Sequence, residues 1–198
     1  MKVKERLKPK APLVEPGVYI AVCVGVIDLG EQYSEKFKDY QNKVKFVWEL
    51  IGETVEIDGE TKPRQLSKDF QFATGKANAP SNLREWLGSW NGVTYSIEDF
   101  KELEMFDQIG KACQIQVALS KTGEYSNVEN IMALPKGMSV PKALSEPITW
   151  DMKKWDDVVF EKLSEWTRKQ IMKSTQYQKE HTPEETITVD TSEEECPI

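Results

Sequence analysis

The stretch GVYIAVCVGVIDLG, Gly17–Gly30, constrains the fold more than any other part of the chain. It is almost wholly apolar and rich in β-branched residues. Tyr19, Ala21 and Cys23 alternate with Val18, Ile20, Val22 and Val24, so neither side is polar enough to face water. That pattern fits a strand covered on both faces. Gly25, inside the run, predicts a bend or bulge there. Long first strands of this kind occur in small closed barrels. The run falls short of the roughly 18 apolar residues that a membrane span needs.

The pieces that follow keep the period of two. In NKVKFVWELIG (Asn42–Gly52), Val44, Phe46, Trp48 and Leu50 share one face, and Lys43, Lys45, Val47 and Glu49 the other. Asp58-Gly59 is a hairpin turn. Arg64–Gly75 continues as a strand with Leu66, Lys68, Phe70 and Phe72 on one side. Between these strands, Glu31–Asn42 reads as a polar loop interleaved with aromatics. Ser81 then caps a helix with Leu83, Trp86, Leu87 and Trp90 at helical spacing, which stops at Asn91-Gly92. A weaker variant of a capping box at Ser96–Asp99 opens a second short helix. Lys111–Ser120 and Tyr125–Pro135 alternate again as the last strands, and a helix is expected from about Ser164. Trp150, Trp155 and Trp166 are expected to pin this last segment to the barrel.

Five or six strands, antiparallel by hairpin connectivity and with helices between the third and fourth main strands, follow the element order of an OB fold. The expectation is therefore a mainly β protein, an OB-fold-like five-stranded antiparallel barrel with inserted short helices and a C-terminal helix. An immunoglobulin-like sandwich is the alternative, in which the two inserted helices would be unusual. The domain reading has four parts: a basic arm over 1–16, the barrel over 17–138, an extension with a packed helix over 139–178, and an acidic tail, expected to be disordered, over 179–198.

Charge is distributed unevenly. After Lys179 there are seven acids and no Lys or Arg, whereas residues 1–179 hold 26 of each sign. Lys2, Lys4, Arg6, Lys8 and Lys10 make the first ten residues basic. A basic arm, a neutral body and an acidic tail suggest a nucleic-acid partner more than a small-molecule enzyme. The start of the chain lacks the apolar stretch of a signal peptide, and a cytoplasmic location is expected. The three cysteines, Cys23, Cys113 and Cys196, have no CxxC spacing, so neither a zinc site nor a disulfide framework is signalled. His181 is the only histidine, which excludes most His-based triads and multi-His metal sites.

The segment Tyr33–Lys45 mixes rings and cations. Tyr33, Phe37 and Tyr40 are interleaved with Lys36, Lys38, Lys43 and Lys45, and Arg64 and Lys68 on the next strand extend the series. Single-stranded nucleic acid needs this combination, because rings stack on unpaired bases while cations follow the phosphates. Whether Phe70 and Phe72 belong to the core or to the groove stays open. In the tail, Glu193, Glu194 and Glu195 precede Cys196, Pro197 and Ile198. An acidic run leading to an apolar tip is expected to suit a basic, apolar-lined pocket on a partner, with solvation alone as the alternative. No GxxxxGK[ST], GxGxxG or GxSxG occurs. The acid clusters Asp156-Asp157 and Glu102/Glu104 read as solvated faces. No enzyme activity, cofactor or metal is expected.

The blocks PGVYIAVCVGVIDLG, KVKFVWEL, LSKDF, NLREWLGSW, IGKACQIQV and NIMALPKG follow one another here as in a family of proteins from phages and prophages of Gram-positive bacteria, which the chain resembles from Pro16 to about Tyr177. That family is itself similar to OB-fold single-stranded-DNA-binding proteins and is encoded among replication and recombination genes. EEECPI resembles the acidic tip of bacterial single-strand-binding proteins, with Ile in place of the final Phe and Cys before Pro. The resemblance implies single-stranded DNA binding without sequence specificity in phage replication or recombination, inside an infected or lysogenic host. It implies replication or recombination proteins as partners of the tail. The alternatives are a phage structural or protein-interaction module with no nucleic-acid binding, and a metal-dependent nuclease.

Overall fold

The described residues of the computed structural model are 12–181 apart from 36, 74 and 77. Lys36, the start of the basic arm, and the tail residues Glu193, Glu194, Glu195, Pro197 and Ile198 lie outside them.

Strand β1 runs over Gly17–Ser34 and pairs antiparallel with β2, Asp39–Ile57, along most of its length. Its register shifts between Cys23 and Gly25, where the sequence predicts a bulge, and again between Asp28 and Gly30. A two-residue turn, with Asp58 at φ 53° and Gly59 at φ 81°, leads into β3, Glu60–Gln71. Positive φ at both turn residues matches the strand twist, which is why Asp-Gly is favoured there. The chain then makes a two-stranded ribbon, β4 (Gly75–Lys76) and β5 (Ala79–Pro80), before helices α1 (Asn82–Asn91) and α2 (Ile97–Lys101) and a 3-10 turn at Met105–Gln108. The Ser81 hydroxyl accepts from Arg84 N–H to start α1, and Ser96 with Asp99 forms a complete capping box on α2. Strands β6 (Ala112–Leu119) and β7 (Ser126–Met132) form the last hairpin, followed by β8, Ile148–Trp150.

The sheet order is β3-β2-β1-β6-β7, with β8 paired to β1 in parallel. This corrects the expectation of a five-stranded, wholly antiparallel barrel. The reason lies in β1, which is too long for one neighbour on its second edge. β6 pairs with Gly17–Val22, and β8 takes Gly25–Ile27 beyond the bulge. Nor does the sheet close by backbone pairing, since no ladder joins β3 to β7 among the described residues. A side chain crosses that seam instead: Lys68 Nζ donates to Val128 O at 2.7 Å and lies 4.5 Å from the centroid of the Trp86 ring.

Two apolar clusters cover the two faces. On the inner face, Phe46, Trp48, Phe70 and Trp90 interlock at ring separations of 5.7–5.9 Å, with Trp86 5.0 Å from Phe70. Each fully buried side chain of this size contributes roughly 1.5–3 kcal/mol of transfer free energy. On the outer face, Ile27 and Leu29 of β1 meet Trp150, Leu163 and Ile171. Instead of one C-terminal helix there are three short ones: α3 (Asp157–Lys162), α4 (Glu165–Ile171, capped by Ser164) and α5 (Thr175–His181). Trp150 and Trp155 pack in this cluster as expected; Trp166 does not and stands exposed. At the amino end, residue 14 is already fastened to the sheet, its N–H donating to Ser126 Oγ, which donates back to Val14 O.

The returning segment also covers polar side chains of β2. Glu49 is buried and accepts from Leu144 N–H at 2.8 Å and Ser145 N–H at 2.7 Å. Burial by itself would raise its carboxyl pKa, but the bonds from Ser145 and from the two backbone N–H groups outweigh it and hold the group below its ordinary value of 4.5. A depressed folded pKa contributes stability above the unfolded value, and that contribution is lost as the pH falls through the folded pKa. Glu49→Gln is therefore expected to lower stability at neutral pH by about 1–3 kcal/mol, with the gap to wild type narrowing below the ordinary glutamate range. Urea melts at a series of pH values measure this; a gap that widens on acidification would contradict it.

Candidate nucleic-acid interface

The segment Glu31–Asn42, expected as a loop, is mostly the far end of the β1–β2 ribbon. The ladder continues through Gln32↔Gln41 and Tyr33↔Tyr40 to Ser34↔Asp39, leaving a short turn that holds Glu35, Phe37 and Lys38. Two features shape this end. Asp28 Oδ1 accepts from Gly30 N–H at 2.8 Å, which fixes the second bulge with Gly30 at φ 71°. At the tip, Ser34 O accepts from the N–H groups of Phe37 and Lys38, and Lys38 adopts the left-handed conformation at φ 51°.

Because Tyr33 and Tyr40 are directly opposed, their rings meet edge to face at 5.3 Å and 63°. They are 47% and 53% exposed, and Phe37 in the turn is 52% exposed. A cavity of 660 Å³ opens beside the tip, where Phe37 and Lys43 face Gln71, Asp69 and the start of α1 at Ser81–Leu83. The structure thus brings Tyr33, Phe37, Lys38, Tyr40 and Lys43 together at one end of the sheet.

Lys45, Arg64 and Lys68 are placed elsewhere. Lys45 is 5% exposed and forms a 2.6 Å ion pair with Asp69 of β3. Arg64 lies seven residues from the ribbon end of β3, about 23 Å along an extended strand, and its guanidinium donates to Pro12 O. Burial holds the pKa of both Arg64 and Lys68 below their ordinary values. Lys68 spans the β3–β7 seam, so these three cations serve the fold rather than the tip. The aromatic pair divides: Phe70 is buried, while Phe72, one residue past the end of β3, is 44% exposed. Its N–H still donates to Asn42 O at 2.8 Å, holding it beside the ribbon.

The buried Cys23 and Cys113 lie on adjacent strands, and burial pushes the Cys23 thiol up to about 12 and the Cys113 thiol further. Neither is a nucleophile near neutral pH. Among the described residues no group of three His, Cys, Asp or Glu side chains is placed to hold a metal ion, and no helix is long and apolar enough to cross a membrane. No family model, curated protein or solved structure matches the chain.

Proposed function

We propose that this chain is a non-enzymatic, sequence-independent single-stranded-DNA-binding protein of phage replication or recombination, built on an OB-like barrel whose seam is bridged by Lys68. The three-strand meander, the helices and the final hairpin, with β1 shared by β2 and β6, support the barrel reading. The observation that carries the function is the Tyr33–Tyr40 ring pair, half exposed at the end of the paired β1–β2 ribbon with Lys38 in its turn. Rings held this way cost little entropy to present to unpaired bases, and the nearby lysines follow the phosphates. Lys36 and Phe37 belong to the same tip by sequence.

The acidic residues after Lys179 compete with DNA for the lysines of this tip or recruit replication proteins. α5, which leads into them, is docked on the ribbon: Glu31 N–H donates to Gln176 Oε1 at 2.9 Å, and Thr175 Oγ1 donates to Glu31 Oε2 at 2.7 Å. Formal neutrality of residues 1–179 favours a second reading, a protein-interaction module without nucleic-acid binding.

Fluorescence anisotropy with labelled oligo-dT of about 30 nucleotides and a duplex of equal length, across a salt series, separates the two. The expected result is preference for the single strand, with log affinity falling by about 0.7 per phosphate contact against log salt. A chain ending at residue 181 is expected to bind more tightly at low salt. Absence of binding by either chain at low salt would favour the interaction module.

A further inference from the structure

Of the two C-terminal aromatics outside both clusters, Tyr177 packs on Trp155 and His181, whereas Trp166 is left largely exposed. Leu163, Thr167 and Ile171 form a buried stripe at a spacing of four, and Trp166, one position off it, is 68% exposed. An exposed Trp gives up most of the transfer free energy its ring would gain in a core. From Glu161 to Lys179 the chain holds five cations and two acids; Glu161 pairs with Arg168 and Glu165 with Lys169, each at 2.7 Å, so Lys162, Lys173 and Lys179 carry the excess positive charge. Lys162, the last residue of α3, and Lys173, in the turn after α4, are exposed on either side of α4 in sequence.

The position of Trp166 relative to the ribbon follows from one residue. Gln170 lies four positions on, so it shares a side of α4 with Trp166 about 6 Å along the axis. Its side-chain amide donates to Asp69 Oδ2 on β3 at 2.7 Å, and its backbone carbonyl accepts from Gln32 Nε2 at 3.0 Å. Gln32 immediately precedes Tyr33 on β1. Trp166 therefore stands one helical turn from a residue fastened both to β3 and to the aromatic ribbon.

We infer that Trp166 is a second base-stacking platform for the single strand, with Lys162 and Lys173 beside it on phosphates. The inference rests on the DNA-binding reading proposed above and lengthens its path, from the ribbon tip past β3 to α4. A largely exposed ring with an exposed lysine before and after it in sequence suits a polyanion with flat bases. The same cations disfavour a basic partner.

The test uses the full chain and labelled oligo-dT of about 30 nucleotides. Trp166→Ala is expected to weaken binding about tenfold, and Trp166→Phe, which keeps a ring, about twofold or less. Both variants should keep the wild-type melting temperature, because the side chain is largely outside the core. Lys173→Ala should make the salt slope shallower by about 0.7, which Trp166→Ala should not. Wild-type binding together with unchanged affinity of Trp166→Ala would overturn the inference and leave the ribbon site standing. A Trp166→Ala change that alters sedimentation but not oligo-dT affinity would overturn it in favour of contact between copies of the chain. A wild-type chain that ignores the oligonucleotide would overturn the DNA-binding reading itself, and this inference with it.

Discussion

Changing Tyr33 and Tyr40 together to Ala is expected to lower affinity for oligo-dT by about two orders of magnitude while leaving thermal stability almost unchanged. A stacked base contributes about 1–3 kcal/mol by alanine substitution. The two rings touch each other at 5.3 Å, so their losses are coupled and will not add simply. A combined loss near 3 kcal/mol corresponds to roughly a hundredfold in affinity. The fold loses little, because both residues sit at the end of the ribbon, outside the two apolar clusters. Tyr33→Phe with Tyr40→Phe separates stacking from hydroxyl hydrogen bonding: if π-faces hold the bases, this variant stays within about threefold of wild type. Wild-type affinity in the double Ala variant, measured by anisotropy beside a functioning wild-type control, would remove the ribbon from the binding site.

Features that rest on neighbouring residues are legible in the amino-acid sequence. The inward set Val44, Phe46, Trp48 and Leu50, the bulge near Gly25, the Asp58-Gly59 turn and the caps at Ser81 and Ser96 all depend on residues a few positions apart. What escaped depends on contacts made across the chain. A polar alternation on β2 says that Lys45 and Glu49 face water, and it would be right for a sheet with one bare face. Here the returning segment covers that face, so Glu49 meets Ser145 and Asp69 meets Gln170, each about a hundred residues away. The three residues of β8 are too few for a period to show. The ribbon tip reads as a loop because its residues are polar, although the ladder from β1 and β2 carries them into register. Phe70 and Phe72 are identical residues two apart, and only the end of β3 between them decides which is buried. Trp166 carried a signal in the buried spacing of Leu163, Thr167 and Ile171, which leaves it off the stripe.

The Lys45–Asp69 pair turns that hidden face into a test that separates fold from binding. Lys45 and Asp69 are cross-strand partners, joined at 2.6 Å, with side-chain exposures of 6% and 31%. The two ends of the pair are therefore unequal. Asp69→Ala leaves an ammonium group buried without its counterion, a loss of about 3 kcal/mol, and also removes the acceptor for Gln170 that holds α4. Lys45→Met leaves behind a carboxylate that still reaches water and still accepts from Gln170, so it is expected to cost about 1 kcal/mol or less. Combining Lys45→Met with Asp69→Ala should recover part of the Asp69→Ala loss, since no ionised group is then stranded. Denaturant melts of the three variants give the ordering directly. DNA affinity supplies the other half of the argument. Lys45 lies between two strands and a folded-back segment, so Lys45→Met should leave both oligo-dT affinity and its salt slope unchanged. A slope shallower by about 0.7 in that variant, with stability intact, would instead put Lys45 on a phosphate and require the covering segment to move aside when the strand binds.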